Sequence, residues 1–316
     1  MIMRIKRHIW FFLATGLAGA GFLFSCEKVI NPTLQPATPV LVVDAWINNK
    51  TEKQIVLLTM TQPYFDSSLP AGVSGAAVSV QDVTDGVTVY HFTENPSVHG
   101  SYEWTPSSVN FGTIGHQYKL TILLNGETFV ASSYIGRVPA VDSITFSQQG
   151  NNSNSKTIKY YGQFWATDPK GPGDTYWIKT TKNDTLLTLP GEINIAYDAG
   201  TSIGGDADGV VFISPVRRKI TPRLSSNQAS TDSPLILGDS VYVEINSISL
   251  AAFNFLGQVI TQTNRPGGFG QLFSTPLANV SSNLSNVNPS GSPIVGFFNT
   301  AAVSGRGVRF KKVSNN

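Results

Sequence analysis

Charge, cysteine and histidine are all scarce in this sequence. Asp, Glu, Lys and Arg make up 13% of the 316 residues, against about 25% in ordinary globular domains. One cysteine, Cys26, excludes an intrachain disulfide, so stability must come from a hydrophobic core. Histidine occurs four times, and no His-x-x-x-His pair, Gly-x-Ser-x-Gly elbow or P-loop is present, which removes the sequence signatures of zincins, α/β-hydrolases and P-loop NTPases. The uncharged run Ile9–Phe24 has 16 residues, short of the roughly 20 that a helix needs to cross a bilayer.

What is present begins at the N-terminus. Arg4, Lys6, Arg7 and His8 precede that run, and no acid occurs before Glu27. A basic segment followed by a short apolar one is the pattern of an export signal. Gly16, Gly19 and Gly21 weaken the run as a permanent helix. It ends in Leu23-Phe24-Ser25-Cys26, which resembles a bacterial lipobox: an aliphatic residue, a small residue before the cut, then the cysteine. The resemblance implies recognition of Leu23, Phe24 and Ser25 by a signal peptidase and a covalent diacylglycerol or acyl anchor on Cys26. Cleavage there removes Arg4, Lys6 and Arg7 and no acid, leaving 19 basic residues of the 22 against 20 acidic ones. So balanced a chain has no global attraction for nucleic acid, and attachment to a membrane falls to the lipid.

Gly (29) and Pro (18) are plentiful, which favours short strands and turns. Residues 26–37 read as a lipidated tether. Period-two runs follow in "VLVVDAWI", "KQIVLLTM" and "GAAVSVQDV", and Asp85-Gly86 and Asn125-Gly126 predict type I′ hairpins. The expected fold is mainly β. After a signal peptide over 1–25 and the tether comes an Ig-like or transthyretin-like antiparallel β-sandwich over 38–137. A second β-rich domain with one short helix follows over 138–316. The helix is expected over 249–263, capped by Ser249, with Leu250, Phe253, Leu256 and Ile260 on one stripe. Residues 190–235 read as a long irregular stretch, a binding loop or a flexible one.

Chemistry-bearing motifs are few. His91 and His99 flank an expected loop, and His116 stands apart; capping or solvated roles outrank a zinc site. In "GGDADGVV", Asp206, Asp208 and Gly209 mimic the start of a calcium loop, but Arg217 stands where the closing acid belongs. A polar turn is the favoured reading, and no metal or other cofactor is expected. Trp46, Trp104, Trp165 and Trp177, with Tyr160, Tyr161 and Phe164, suit a sugar-stacking or protein-binding surface, yet their alternation places most of them in sandwich cores. Arg217 and Arg218 in "PVRRK" are the candidate partner contacts, able to pair with carboxylates.

The order of "CEKVI", "LVVDAWI", "LLTMTQPYF", "GAAVSV", "GSYEW", "VPAVDSI", "DADGVVF", "GDSVYVEINSIS" and "PLANVSSNL…GFFNTA" resembles a Bacteroidota lipoprotein family known as domain of unknown function 4249. The resemblance covers almost all of the mature chain and supplies no catalytic residues. It implies a lipoprotein of the cell envelope, outer-membrane anchored and facing the periplasm or the surface. It further implies a non-enzymatic binding or accessory role beside a TonB-dependent receptor, with a ligand it does not name. Within it, "DADG" is a structural loop. The alternative is a fimbrial or adhesin-like subunit, trimmed at Lys50 or Lys53; a glycan-active hydrolase ranks below both, because no pair among the acids can be singled out.

The leader yields the first prediction. Radiolabelled palmitate is expected to enter the wild-type protein and not Cys26→Ser, which should also release the chain from membranes. Label retained in the variant would refute lipidation at this residue.

Overall fold

The computed structural model describes residues 37–63, 66–148, 160–222, 235–265, 274 and 276–311. Leu23, Phe24, Ser25 and Cys26, with the signal segment and most of the tether, lie outside them. Pro39–Asn316 form one compact unit.

The period-two runs form strands because alternate side chains can enter a core while the others face away. In chain order these are β1 (Leu41–Asn48), β2 (Gln54–Met60), β3 (Ala77–Asp82), β4 (Val89–Glu94), β5 (Ser101–Trp104), β6 (Gln117–Leu124) and β7 (Glu127–Tyr134). There follow β8 (Ser143–Gln148), β9 (Tyr160–Trp165), β10 (Thr175–Lys182), β11 (Thr185–Leu186), β12 (Asn194–Tyr197) and β13 (Ser240–Ser247). Helix α1 (Leu250–Thr263) precedes β14 (Leu284–Asn286), β15 (Ile294–Ala301) and β16 (Val303–Arg309). The expectation of a mainly β chain with one short helix holds.

The first sheet runs β14-β7-β6-β3-β4-β5-β2-β1-β15. Between β4 and β5 only Thr93↔Glu103 and Glu94↔Tyr102 pair, and there the sheet folds over on itself. The halves enclose one core: Val43, Ala45 and Ile47 of β1 and Leu58 of β2 meet Val80 of β3, Leu120 and Ile122 of β6 and Phe129 of β7. At the other end side chains connect the layers. Asn283 accepts from Phe298 N at 3.0 Å and donates to Phe298 O at 2.7 Å, and Ser133 Oγ accepts from Thr300 N at 2.8 Å. This is the expected sandwich with two differences. Its pairs are antiparallel except β1–β15, which is parallel from Leu41↔Ile294 to Asn48↔Ala301. The expected boundary at 137–138 also falls where the chain leaves this sheet after β7, but β14 and β15 bring it back.

The second sheet runs β11-β10-β13-β16, with β12 also on β10, and the β8–β9 hairpin is a separate ladder. Phe164, Tyr176, Ile178, Phe212, Val243 and Ile245 form its core. The described part of the 190–235 stretch is largely irregular, as expected, but it is packed rather than loose. It holds β12 and 3-10 turns at Pro190–Glu192 and Val216–Arg218, and it buries Phe212, Val216 and Ile220; residues 223–234 lie outside the described set.

Local signals fare according to how local they are. Asn125 and Gly126 have φ of 51° and 81° in a two-residue link between β6 and β7, as a type I′ turn requires. Asp85-Gly86 instead lies within a longer connection between Asp82 and Val89. That loop is shaped by carboxylates: Asp82 accepts from Thr84 N and Asp85 N at 3.0 and 3.2 Å, and Asp85 accepts from Val87 N and Thr88 N at 2.9 and 3.0 Å. Ser249 caps α1, its Oγ accepting from Ala252 N at 3.1 Å. The buried stripe is Ala252, Phe253 and Leu256; Leu250, expected on it, is 48% exposed.

Gly296 makes the parallel pair possible. Its φ is +108°, and a Cβ there would collide with the backbone of Val43, the residue it pairs with in register. Gly296→Ala is therefore expected to cost about 2 kcal/mol or more, read as a lower urea midpoint; an unchanged midpoint would contradict this account of the joint.

Candidate functional site

Alternation in β1 turns Val43, Ala45 and Ile47 into the first core, and so turns Val42, Asp44 and Trp46 outward. In β10 the same rule buries Tyr176 and Ile178 and leaves Trp177 and Lys179 on the other face. These two outward faces meet. Trp46 and Trp177 lie edge to face with centroids 5.0 Å apart, and Phe297 of β15 stacks on Trp46 at 5.7 Å. Helix α1 adds Phe255, 4.5 Å from Phe297. Each aromatic pair contributes about 0.5–1.5 kcal/mol beyond the area it buries.

Beside this cluster opens a cavity of about 470 Å³, bounded by β1, β10, the 186–193 segment and α1. That volume lies in the range of small-molecule sites. Its walls are largely apolar: besides the aromatics they include Val42, Leu187, Ile193 and Val259. The polar groups are few, namely Asp44, Lys179, Thr188 and Glu192. Partial desolvation raises the Asp44 pKa, with the neighbouring Trp46 side chain and the field of Lys179 acting in the opposite direction.

Lys179 is less well served. Its ammonium lies 4.3 Å from the centre of the Trp177 ring, a cation–π contact. Burial lowers its pKa, and Glu244 only partly compensates. Glu244 faces Lys179 in the strand register, but its carboxylate accepts from Lys50 Nζ at 2.8 Å and from Asn246 Nδ2 at 3.1 Å. Among the described residues no carboxylate lies within ion-pairing distance of Lys179, whereas Lys50, Lys53 and Lys182 each have one.

The sequence-predicted groups fall elsewhere. Asp208 joins Asp168 and Asp198, one carboxylate oxygen from each lying within 4.8 Å of the others; Asp206 is exposed and not among them. Three carboxylates are the right donors for a hard cation, yet each already accepts from the surrounding loops. Asp168 accepts from Tyr176 Oη at 2.6 Å, Asp198 from Gly173 N at 2.8 Å, and Asp208 from Gly171 N at 2.8 Å. Burial raises the pKa of Asp168, opposed by the Tyr176 hydroxyl and reinforced by Asp174 and Asp198. These bonds tie the loops that carry Asp168, Asp198 and Asp208 to one another and to β10.

The Arg217 guanidinium carbon lies 4.0 Å from the centre of the Trp165 ring, and that of Arg218 lies 5.9 Å from the centre of the Tyr161 ring. The histidines are dispersed. His99 contacts Ser74 Oγ at 3.1 Å, His116 contacts Asp82 at 2.8 Å, and His91 stands outward on β4 opposite Ser79. Among the tryptophans, Trp104 packs on the first core as expected. Trp46 and Trp177 instead belong to the cleft, which the sequence reading missed; their outward parity in β1 and β10 was the available signal.

Fold and cleft together define a mainly β protein in which two β layers and one helix enclose a small, aromatic-walled cavity. The chain belongs to the family described as Domain of unknown function (DUF4249), which matches residues 27–306. Among curated proteins no match is found. Among the described residues no helix is long and apolar enough to cross a membrane.

Arg137 ties the acidic loops to the exit from β7. It donates to Lys170 O at 2.7 Å, to Gly171 O at 2.6 Å and to Asp174 Oδ2 at 2.6 Å. Because solvent reaches 44% of this side chain, Arg137→Ala is expected to cost only about 1 kcal/mol globally. Amide exchange should nonetheless quicken selectively over residues 168–174, and uniform protection there would argue against the tie.

Proposed function

We propose that this chain is a non-enzymatic binding lipoprotein of the bacterial cell envelope, anchored at the outer membrane through Cys26 and acting as a capture or accessory partner of a TonB-dependent transporter. The observation that carries the reading is the apolar cleft of about 470 Å³ between the two β layers, which suits holding a ligand. The family match beginning at Glu27, next to Cys26, is in keeping with a mature protein that starts at the cysteine. No residue is assigned a catalytic role. Arg217 and Arg218 have rings beneath them and are weaker partner contacts than the cleft rim.

The fimbrial alternative has less support. Lys50 and Lys53, its candidate trimming points, pair with Glu244 and Glu103, both at 2.8 Å. Cutting at either would detach β1, whose inward side chains fill the core and whose free edge is already taken by β15.

Crosslinking in native membranes followed by affinity purification tests the proposal. Recovery of a TonB-dependent receptor is the expected result. A ladder of self-assembled polymers would replace this reading with the fimbrial one, and a monomer without a membrane partner would overturn both.

A further inference from the structure

We infer that the cleft beside Trp46 and Trp177 binds an amphiphile with an apolar body and one carboxylate head, of the medium-chain fatty acid class, with the head directed at Lys179. The inference rests on the capture reading of the same cleft and adds the class of ligand.

Three observations support it. The walls are the first: Val42, Leu187, Ile193 and Val259 are aliphatic, and Phe255 and Phe297 continue the surface. Such a lining gains by covering hydrocarbon and offers few partners to a ligand rich in hydroxyls. A sugar would leave most of its polar groups unpaired there.

The second is the uneven provision for charge. Lys179 is half-buried, faces a ring at 4.3 Å, and has no carboxylate within ion-pairing distance among the described residues. The nearest obvious counter-charge, Glu244, is held by Lys50 and Asn246. A desolvated ammonium in this position is served by an anion brought from outside.

The third is the condition of the acid on the same walls. Asp44 is an exposed residue, and the neighbouring Trp46 side chain favours its charge. Water can therefore serve Asp44, although desolvation raises its pKa, whereas Lys179 is half-buried with a ring face for a neighbour. Charge complementarity thus selects an anionic head over a cationic one. Glu192, the other acid in the lining, accepts from Leu189 N at 2.9 Å and is turned to its own 3-10 segment.

The test uses the Cys26→Ser chain, full length and free of detergent, titrated with dodecanoate, dodecanol and dodecyltrimethylammonium below their micellar concentrations. Calorimetry gives affinity, and the emission of Trp46 and Trp177 reports occupancy of the cleft. Dodecanoate should bind most tightly. Lys179→Gln should weaken it about tenfold while leaving dodecanol unchanged. Asp44→Asn, which removes the opposing charge, should tighten dodecanoate. Val259→Trp, which fills the cavity from α1, should abolish binding in a protein whose circular dichroism and melting temperature match the parent. Tighter binding of the ammonium amphiphile, indifference of dodecanoate to Lys179→Gln, or no saturable binding by any of the three would overturn the inference. No receptor is present in this assay, so failure here leaves the membrane crosslinking result to stand or fall separately.

Discussion

The arrangement depends on one continuous stretch of chain that belongs to both sheets. Residues Ile294–Ala301 pair with β1, and after the buried Ala302 the next residues, Val303–Arg309, pair with β13. At the crossing, Ser247 N donates to Ala302 O at 2.9 Å and Ala302 N donates to Ser247 Oγ at 2.9 Å. Asn49 fastens the same point from β1, donating to Ala301 O at 3.2 Å and accepting from Val303 N at 2.9 Å. A strand shared in this way leaves the two layers little freedom to hinge. Displacing one ladder would expose backbone groups of the other, and unpaired buried groups are costly.

The cleft follows from that joint. Since β15 and β16 are consecutive, the outward faces of β1 and β15 come to lie against β10, the neighbour of β13. Trp46, Trp177 and Phe297 fill the contact, and α1, leaving β13 at Ile248, covers it with Phe253 and Leu256. Flat strands and bulky rings cannot seal such a corner completely, because the sheets twist away from each other. The space left beside the rings is the cavity.

These relations explain why some of the fold was legible and some was not. The inward parity of β1 and β6, the Asn125-Gly126 turn and the Ser249 cap are set by neighbours within a few residues, and each can be read from the chain. The pairing of β1 with β15 joins residues about 250 positions apart through a parallel ladder, and no local pattern announces it. For the same reason a boundary near 137 looked natural: β7 does end a run of hairpins, and only the later return of β14 and β15 ties the halves together. Asp85-Gly86 failed for a local reason, since the Asp82 and Asp85 carboxylates bind nearby amides and favour a wider loop. Asp208 was visible as an acid in a turn, but Asp168 and Asp198 reach it from different loops. The outward tryptophans were read as core because alternation states which residues share a face and not which face is covered.

In a chain so poor in charge, how each buried charge is compensated carries information. Asp82 shows complete provision: burial opposes its charge, yet His116, Tyr118 and the Asp85 and Thr84 amides outweigh that and hold its pKa below the ordinary carboxylate range. Glu244, with Lys50 and Asn246, is similarly supplied. Asp168 has donors as well, but burial and the charges of Asp174 and Asp198 still raise its pKa. Burial likewise drives the Lys179 pKa down, and Lys179 differs in that a ring face stands where an anion would be. An apolar side chain of similar length would cost less in that position. On the proposed binding reading, a charge kept where it weakens the fold, on the wall of a cavity rather than inside a core, marks where stability yields to binding. That uncompensated charge on the cavity wall is what supports the binding role proposed for the cleft.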